Sequence, residues 1–397
     1  MTFDMLGALR TDLPEAPGVW QPSPIYSFVG GNNDAASVPF SGLAEALVNG
    51  LRREGENLAY YNLGGSPLGY APLREFVMDG LGARAGISGS PENVLMVSGS
   101  LQALDLVNQA FLSPGDTVLI EAATYGGMIS RLERMGVRYV GVELDDHGIV
   151  ISDVAAKLDA LAADNIAPKF LYTIPSVQNP TGSVMPLDRR RALLELAHER
   201  AVPIFEDECY ADLTWGCDRP PSLRALDGDG GLVVYCGSFS KSVAPALRVG
   251  YIIADEPIVR QLVALKTDAG TGSLEQLALA EYCPSNFDAH VERLIEALRA
   301  KADTMVASVR DAFGPDVKVT EPMGGIYVWL TFPEGVDTGA FHQTAADAGI
   351  EFTPGAGWSS DPLWGKRRLR LCFGSPTEAN IRAGVAKLAE IYRATTP

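Results

Sequence analysis

The chain has few of the residues that usually bind metals or catalyse proton transfer. Its 397 residues include only four histidines, and its five cysteines are scattered and odd in number, with no Cys-x-x-Cys pair. Structural metal sites usually take clustered cysteine and histidine ligands, so the sequence predicts no bound metal. We also expect free, buried thiols rather than disulfides, and chemistry that does not depend on histidine.

Two further absences exclude classes of partner. Positive charge is scarce, since the chain has 32 lysines and arginines but 49 aspartates and glutamates, which gives a net charge of -17. Nucleic-acid binding needs a clustered basic face, so we expect no nucleic-acid partner. No stretch reaches the roughly 18 apolar residues of a membrane span, and the N-terminus lacks the pattern of a signal peptide. We therefore expect no membrane partner and a cytoplasmic location.

Short apolar runs of strand length alternate with helical patterns through most of the chain. The runs are Val94–Val97, Val118–Ile120, Phe170–Ile174, Pro203–Phe205, Leu232–Cys236 and Gly250–Ile253. The helical patterns include Leu101–Phe111, Met128–Met135 and Leu187–Arg200. Continuous apolar strands that alternate with helices predict an α/β fold with a mostly parallel central sheet flanked by helices.

The pattern changes after about residue 290, and a chain of this length usually forms more than one domain. The predicted elements there are helix His290–Phe313, strand Gly324–Phe332, helix Phe341–Ala348, strand Arg368–Phe373 and helix Glu378–Tyr392. We interpret residues 1–40 as an N-terminal arm, 41–290 as a large domain and 291–397 as a small α+β domain.

Polar residues follow several of the predicted strands. In parallel sheets, ligands bind beyond the carboxyl ends of the strands. Ser98-Gly99-Ser100 joins a strand to a helix, so its free backbone N–H groups can bind an anion. An ordinary serine N-cap is the alternative. Asn179-Pro-Thr-Gly182 is first a turn, and its Asn179 amide can also donate to a ligand.

Three acids, Glu206, Asp207 and Glu208, cluster where another strand ends, with Tyr210 close behind. A metal site lacks supporting histidines, and helix capping or packing is the simpler alternative. A further interpretation is that Asp207 pairs with a protonated pyridine nitrogen while Tyr210 reaches the phenolic oxygen of the same ring.

Lys241 lies in the loop after a buried run, with Ser238 before it and Arg248 after it. A lysine with a depressed pKa can condense with an aldehyde and then carry a proton, although most loop lysines are solvated charges. Ser238 and Arg248 can bind a phosphate. Ser238-Phe-Ser-Lys241 also fits the Ser-x-x-Lys pattern of penicillin-recognising enzymes, but their companion motifs are missing.

Arg370 lies in the strand-like stretch Arg368–Phe373. Its guanidinium can clamp a carboxylate through two parallel hydrogen bonds. A solvated basic edge strand is the alternative explanation.

Together these residues resemble the fold-type I, class I/II aminotransferases that depend on pyridoxal 5′-phosphate, within the branch of 2-aminoadipate and kynurenine aminotransferases. The resemblance covers almost the whole chain. The matching stretches are Tyr61–Arg74, Ser98–Asp105, Ala123–Gly127, Pro175–Gly182, Glu206–Tyr210, Gly237–Gly250 and Gly324–Leu330.

The resemblance implies a role for each candidate residue. Lys241, Asp207 and Tyr210 would be catalytic. The cofactor-binding residues would be Tyr70, Gly99, Ser100, Leu101, Tyr125, Asn179, Asp207, Tyr210, Ser238, Lys241 and Arg248. Arg370, Asn179 and Gly31 would contact the substrate. Tyr70 would come from a neighbouring subunit, which implies a homodimer with shared active sites.

Two departures from this branch concern the phosphate site and the arm. Leu101 stands where relatives usually have a glutamine, so only its backbone N–H remains for the phosphate. The arm around Gly31 lacks the Gly-x-Pro element that relatives often carry, so the resemblance does not identify the substrate.

The resemblance implies transamination between an L-amino acid and a 2-oxo acid. A pyridoxal-phosphate lyase, decarboxylase or oxidase is the enzymatic alternative. A ligand sensor is the non-enzymatic one, although such regulators carry a DNA-binding region before this fold.

Overall fold

The computed structural model describes residues 5–11, 13 and 24–395. Its α-helices are α1 (Phe40–Glu54), α2 (Ala71–Phe76), α3 (Ser100–Phe111), α4 (Gly126–Arg134), α5 (Ile151–Ala163), α6 (Leu187–Glu199), α7 (Leu223–Asp227), α8 (Phe239–Ser242), α9 (Glu256–Leu265), α10 (Ser273–Phe313), α11 (His342–Asp347), α12 (Pro362–Gly365) and α13 (Glu378–Thr395).

The β-strands are, in chain order, β1 (Tyr26–Ser27), β2 (Val94–Val97), β3 (Thr117–Glu121), β4 (Arg138–Val142), β5 (Leu144–Asp145), β6 (Gly148–Ile149), β7 (Leu171–Thr173), β8 (Ile204–Asp207), β9 (Val233–Ser238), β10 (Gly250–Ile253), β11 (Lys318–Val319), β12 (Tyr327–Thr331), β13 (Ile350–Glu351), β14 (Thr353–Pro354) and β15 (Arg368–Cys372).

The large sheet has seven strands in the order β2-β10-β9-β8-β7-β3-β4. Only β10 runs against its neighbours, so the predicted mostly parallel sheet is confirmed. All residues of β2, β3, β7, β8, β9 and β10 are buried, as expected for a parallel sheet covered by helices on both faces. The carboxyl ends of β2, β7, β8 and β9 therefore meet at one edge.

Strand β4 was not predicted from the sequence. It forms the edge of the large sheet. Arg138 is exposed, and Tyr139 to Gly141 are partly buried. An edge strand needs no continuous apolar run, because one of its sides faces solvent. The sequence Arg-Tyr-Val-Gly-Val therefore carries no signal of the kind that identified the other strands.

The C-terminal part forms a four-stranded antiparallel sheet in the order β11-β12-β15-β14. Strand β15, which carries Arg370, lies between two neighbours and is buried along its whole length. The alternative of a solvated basic edge strand is therefore wrong. Alternation alone cannot distinguish a solvated arginine face from one that is buried against another part of the chain.

Helix α10 continues through the predicted boundary between the two domains. It has 41 residues and begins at Ser273, well before the predicted start at His290. Pro284 lies inside it, and an internal proline usually indicates a helix end, which is why the sequence suggested a later start. The division into 1–40, 41–290 and 291–397 stays a prediction. Residues 1–4, 12 and 14–23 of the proposed arm lie outside the described residues.

The main hydrophobic core joins the two sheets. Ile174 and Val177, after β7, belong to the same buried cluster as Ile326 and Tyr327 of the small sheet. All five cysteines are free, as predicted, and four are buried, but Cys217 is exposed in a bend after Trp215. No helix in the described part of the chain is both long and apolar enough to cross a membrane.

Candidate active site

A cavity of about 290 Å³ opens where the carboxyl ends of the large-sheet strands meet the small sheet. Its volume is near the roughly 300 Å³ at the lower end of small-molecule sites. The predicted site residues that line it are Gly31, Ser100, Leu101, Tyr125, Asn179, Asp207, Tyr210, Lys241, Arg248 and Arg370. The structure therefore brings together residues that are far apart in the chain.

Lys241 lies on the short helix α8, directly after β9, and its side chain extends into the cavity. Its Nζ donates to the backbone oxygen of Gly31 at 2.6 Å. Burial lowers the pKa of the Lys241 amine, because desolvation disfavours the charged form. A larger fraction of this amine is therefore neutral and nucleophilic than in a solvated lysine.

Asp207 is the last residue of β8 and is buried. Its Oδ2 accepts a hydrogen bond from the Tyr172 hydroxyl at 2.7 Å, and its Oδ1 accepts one from the Cys209 backbone N–H at 3.2 Å. Burial raises the pKa of Asp207, whereas these two donors lower it by stabilising the carboxylate. The site thus presents an oriented carboxylate to the cavity.

The two acids beside Asp207 have structural roles. Alternation along β8 directs Glu206 away from the cavity, where it accepts hydrogen bonds from the first backbone N–H groups of α7. Glu208 accepts one from the Ser176 hydroxyl at 2.8 Å. Both lie within 4.0 Å of the buried Arg190 guanidinium. The three acids therefore do not converge on one point, and only Asp207 lines the cavity.

An anion cradle lines the cavity where helix α3 begins. Helix α3 begins at Ser100 and directs its free N–H groups there, while Gly99 has a φ of 79°. A Cβ at Gly99 would lie 2.4 Å from Arg248 Nη2, so the glycine lets the guanidinium approach the helix start. Arg248 Nη1 donates to the Ser240 hydroxyl at 3.4 Å.

Ser240 was not singled out from the sequence, although it lines the cavity. Ser238, which was, accepts a hydrogen bond from the Ser240 backbone N–H at 3.1 Å and caps helix α8. Serine at both positions of Ser-x-Ser-Lys is the signal that could have identified this residue. Gly99 and Ser238 do not line the cavity themselves, but they support the cradle residues that do.

The guanidinium of Arg370 lies between two aromatic rings, 3.9 Å from the Tyr327 centroid and 3.8 Å from the Trp358 centroid. Its Nη1 donates to Asn179 Oδ1 at 3.0 Å, and its Nη2 donates to the Gly30 backbone oxygen at 3.1 Å. Its Nε has no hydrogen-bond partner among the described residues. A buried cation held in this way is a preformed site for a carboxylate.

Tyr327 and Trp358 were not predicted as site residues. Aromatic residues in or near a strand usually belong to the core, so their sequence gave no functional signal. The Tyr327 hydroxyl lies 3.0 Å from that of Tyr210, and burial raises the pKa of both phenols. Tyr125, at the start of α4, contacts Trp358 edge-on, with ring centroids 5.6 Å apart.

The segment from Gly30 to Asp34 closes one side of the cavity. Asn33 Nδ2 donates to the Lys241 backbone oxygen at 2.6 Å, and Asp34 accepts a hydrogen bond from Lys301 Nζ at 2.7 Å. A Cβ on Gly31 would lie 2.7 Å from both Lys241 Nζ and Tyr327 Oη. Glycine at this position therefore permits the close approach of the arm to the amine.

Tyr70 does not line the cavity of its own chain. Its hydroxyl lies 2.9 Å from Glu54 Oε1 and 2.8 Å from Arg53 Nη2, at the carboxyl end of α1. The interpretation that Tyr70 serves the site of a neighbouring subunit stays a prediction.

Comparison with known proteins gives the family. The model of "Aminotransferase class I and II" matches residues 43–388. The chain belongs to this family. It is 36% identical to the 2-aminoadipate transaminase of Thermus thermophilus over 374 residues, which cover 93% of this chain and 90% of that protein.

Two solved structures show the same fold. LysN, the alpha-aminoadipate aminotransferase from Thermus thermophilus, was solved in complex with N-(5′-phosphopyridoxyl)-L-leucine. It is 35% identical, with a TM-score of 0.84 over 93% of this chain and 92% of that one. Kynurenine aminotransferase from Pyrococcus horikoshii is 31% identical, with a TM-score of 0.88 over 94% of this chain and 92% of that one.

This aminotransferase uses pyridoxal 5′-phosphate, the cofactor of its family. The cavity fits that group because it combines an anion cradle, a buried carboxylate and a partly buried amine. When bound, pyridoxal phosphate supplies an aldehyde for the amino group and an electron-withdrawing ring that acidifies the Cα–H bond. The chain is therefore an enzyme of transamination with a fold-type I architecture.

Proposed function

We propose that this chain transfers the amino group of an L-amino acid to a 2-oxo acid, with Lys241 and Arg370 as the residues that define the reacting geometry. The observation that carries the proposal is the position of a partly buried amine and a buried guanidinium in the same cavity. Arg370 would bind the α-carboxylate of the amino acid, while the Lys241 amine would accept the proton from Cα and carry it within the cavity.

The remaining residues hold the cofactor. The cradle of Ser100, Ser240, Arg248 and the N-terminus of α3 takes the phosphate, with Gly99, Leu101 and Ser238 supporting it. Asp207 keeps the ring nitrogen protonated, since an ionised carboxylate beside it stabilises the charged ring. Asn179 uses its Oδ1 to accept from Arg370, which leaves its amide nitrogen free to donate to the phenolic oxygen. Tyr210 donates to the same oxygen, and Tyr125 covers the ring.

The donors we propose are those in the names of the relatives: 2-aminoadipate, kynurenine or an aromatic amino acid. As acceptors we propose 2-oxoglutarate or pyruvate. Four aromatic side chains line the cavity, Tyr125, Tyr210, Tyr327 and Trp358, and the last two contact Arg370, which favours a flat or long side chain on the donor. Arg248 is already engaged at the cradle, so a second carboxylate on the substrate has no dedicated guanidinium among the residues that line the cavity, which favours kynurenine or an aromatic amino acid over the dicarboxylic 2-aminoadipate as donor.

A half-reaction assay tests this proposal. Each donor is added alone to the enzyme loaded with cofactor, and the cofactor absorbance should change by one equivalent and then stop until an acceptor is added. Repeated turnover without an acceptor would instead indicate a lyase, a decarboxylase or an oxidase. Borohydride reduction of the resting enzyme should place the cofactor on the peptide that contains Lys241. Lys241→Ala should lose both signals, whereas Lys157→Ala, on helix α5, should retain them.

We also propose a homodimer in which Tyr70 completes the phosphate site of the partner subunit. The support is an exposed apolar surface on and after α1. Phe40, Tyr60 and Tyr61 are 75%, 66% and 82% exposed, and the Tyr70 hydroxyl contacts the carboxyl end of the same helix. Large exposed aromatic residues are enriched at protein interfaces. The cytoplasmic location stays a prediction.

Mixed dimers test the shared site. Chains that carry Tyr70→Phe are combined with chains that carry Lys241→Ala. If Tyr70 acts across the interface, one of the two sites in each mixed dimer has both native residues. If Tyr70 acts within its own chain, neither site has both. Activity above that of either parent would support the shared site. No gain in demonstrably mixed dimers would contradict it.

A further inference from the structure

Beside the cofactor carboxylate lie two cysteines that the transamination chemistry does not use. Cys209 follows strand β8, and Cys236 lies on the neighbouring strand β9. Both are free and buried. Cys236 is the register partner of Asp207 in the parallel pair of β8 and β9. The pairing of β8 and β9 therefore places Cys236 beside Asp207, and Cys209 follows Asp207 by two residues.

The three ligand atoms are close enough to share one cation. One carboxylate oxygen of Asp207 and the Sγ atoms of Cys209 and Cys236 all lie within 4.8 Å of one another. A tetrahedral ion with bonds of about 2.3 Å to sulfur and 2.0–2.2 Å to oxygen has its ligand atoms roughly 3.5–3.8 Å apart, which lies inside that limit. Asp207 and Cys209 also line the cavity, so a fourth position can face the open space.

From this geometry we infer that the cofactor-free enzyme binds a thiophilic divalent cation, such as Zn²⁺ or Cd²⁺, through Asp207, Cys209 and Cys236. Thiolates select such ions over Mg²⁺ and Ca²⁺, which prefer oxygen. The hydrogen bond from the Cys209 N–H to Asp207 Oδ1 restrains the site, and two strands of the large sheet carry it. Such rigidity reduces the cost of ordering the ligands.

Binding of the cation releases the protons of the two thiols. Burial raises the pKa of the Cys236 thiol, and hydrogen bonding to Cys236 together with burial raises that of Cys209. Each thiol releases one proton when it becomes a thiolate ligand, so one bound M²⁺ displaces two protons into solvent. The affinity for the cation therefore rises with pH, with a slope approaching two protons per ion below the thiol pKa values.

The cation and pyridoxal phosphate should exclude each other. This part of the inference rests on the proposed role of Asp207, because the same carboxylate would have to serve the ring nitrogen and the cation. If binding is mutually exclusive, cofactor at about 100 times its Kd should weaken the apparent metal affinity about 100-fold. The enzyme would then be sensitive to soft metals before, but not after, it acquires its cofactor.

The test uses the full chain with Cys217→Ser, which removes the exposed thiol, and titrates Cd²⁺ with and without pyridoxal phosphate. We expect one Cd²⁺ per chain, an ultraviolet thiolate charge-transfer band, and loss of that band in the further variant Cys209→Ser/Cys236→Ser. Cys283→Ser, at a buried cysteine outside the cavity, is the matched control and should leave the band unchanged. A band that persists in the double variant would overturn the site.

A second measurement needs no substitution in the site. Cd²⁺ should protect Cys209 and Cys236 of the otherwise native chain from alkylation, with Cys283 as the internal reference in mass spectrometry. If neither is protected, the cation site is wrong, whatever the activity of the enzyme. If metal binds as expected but the cofactor does not displace it, the cation site stands and the proposed pairing of Asp207 with the ring nitrogen is wrong.

Discussion

Arg370 Nη1 donates a hydrogen bond of 3.0 Å to Asn179 Oδ1. This bond joins the central region of the small sheet to the loop that follows β7 of the large sheet. It orients the Arg370 guanidinium. Because the Asn179 side-chain oxygen accepts this hydrogen bond, the Asn179 side-chain nitrogen remains available as a donor. One contact between the two sheets thereby sets the donor pattern on both the substrate side and the cofactor side of the cavity.

The first prediction concerns this arginine. Arg370→Lys removes the planar fork and its stacking between Tyr327 and Trp358, so the amino-acid Kd in the half-reaction should rise by on the order of 100-fold, equivalent to about 3 kcal/mol. The affinity for pyridoxal phosphate should change only a few-fold. Arg368→Lys is the control, because Arg368 stacks on Trp364 and does not line the cavity. Equal losses of both affinities would contradict the clamp.

The second prediction concerns the arm. Gly31→Ala would place a Cβ 2.7 Å from both Lys241 Nζ and Tyr327 Oη, so the arm or the amine must move. We expect the half-reaction rate to fall roughly 10-fold, with little change in stability, since a small misplacement of reacting groups has a large kinetic cost. Gly55→Ala, where a Cβ meets no atom within 4 Å, should leave the rate unchanged. An unaltered rate in Gly31→Ala would mean that the arm is not positioned against the amine during catalysis.

The third prediction concerns the support of Asp207. Tyr172→Phe removes the 2.7 Å hydrogen bond that stabilises the carboxylate, so the pKa of Asp207 should rise further above its usual range. The carboxylate is then less able to keep the ring nitrogen protonated, and we expect the half-reaction rate to fall about 10-fold, with the larger deficit at lower pH. Tyr139→Phe, whose hydroxyl contacts Glu133 at the surface, is the control. A rate deficit that does not vary with pH would argue against this role.

The fourth prediction concerns a buried acid beneath the Asn179 loop. Glu121 accepts hydrogen bonds from Thr173, Ile174 and Gln178, and burial raises its pKa from 4.5 to about 7. Below pH 4.5 the group is protonated in both the folded and the unfolded chain, so its contribution to stability is fully present. As pH rises to about 7, the unfolded chain ionises first and this contribution is lost.

Glu121→Gln removes this titration. The free energy of unfolding of the wild type, relative to this variant, should therefore decrease by about 3 kcal/mol between pH 4.5 and about 7 and then level off. Urea unfolding across this pH range measures the difference. Glu296→Gln, at an exposed position on α10, is the control variant for this measurement. Parallel curves for Glu121→Gln as well would show that folding does not raise the pKa of Glu121.

Much of the site could be predicted because its residues lie directly after recognisable strands. Lys241, Asp207 and Asn179 each follow a continuous apolar run, and parallel strands must bring their carboxyl ends to one edge. Arg370 was identified as a candidate clamp, but its burial was open, since alternation within one strand does not reveal what covers either face. Ser240 was missed because Ser238 satisfied the same pattern.

The sequence by itself determined the order of the elements, the mostly parallel sheet and the set of polar residues at its edge, because these depend on local periodicity and on the residues beside each strand. Only the tertiary structure decided that Asp207 faces the cavity while Glu206 and Glu208 face Arg190, and that Tyr327 and Trp358 enclose Arg370. The physical reason is distance along the chain. The contacts that orient Arg370 come from Gly30 and Asn179, which lie 340 and 191 residues away, and no local pattern encodes such contacts.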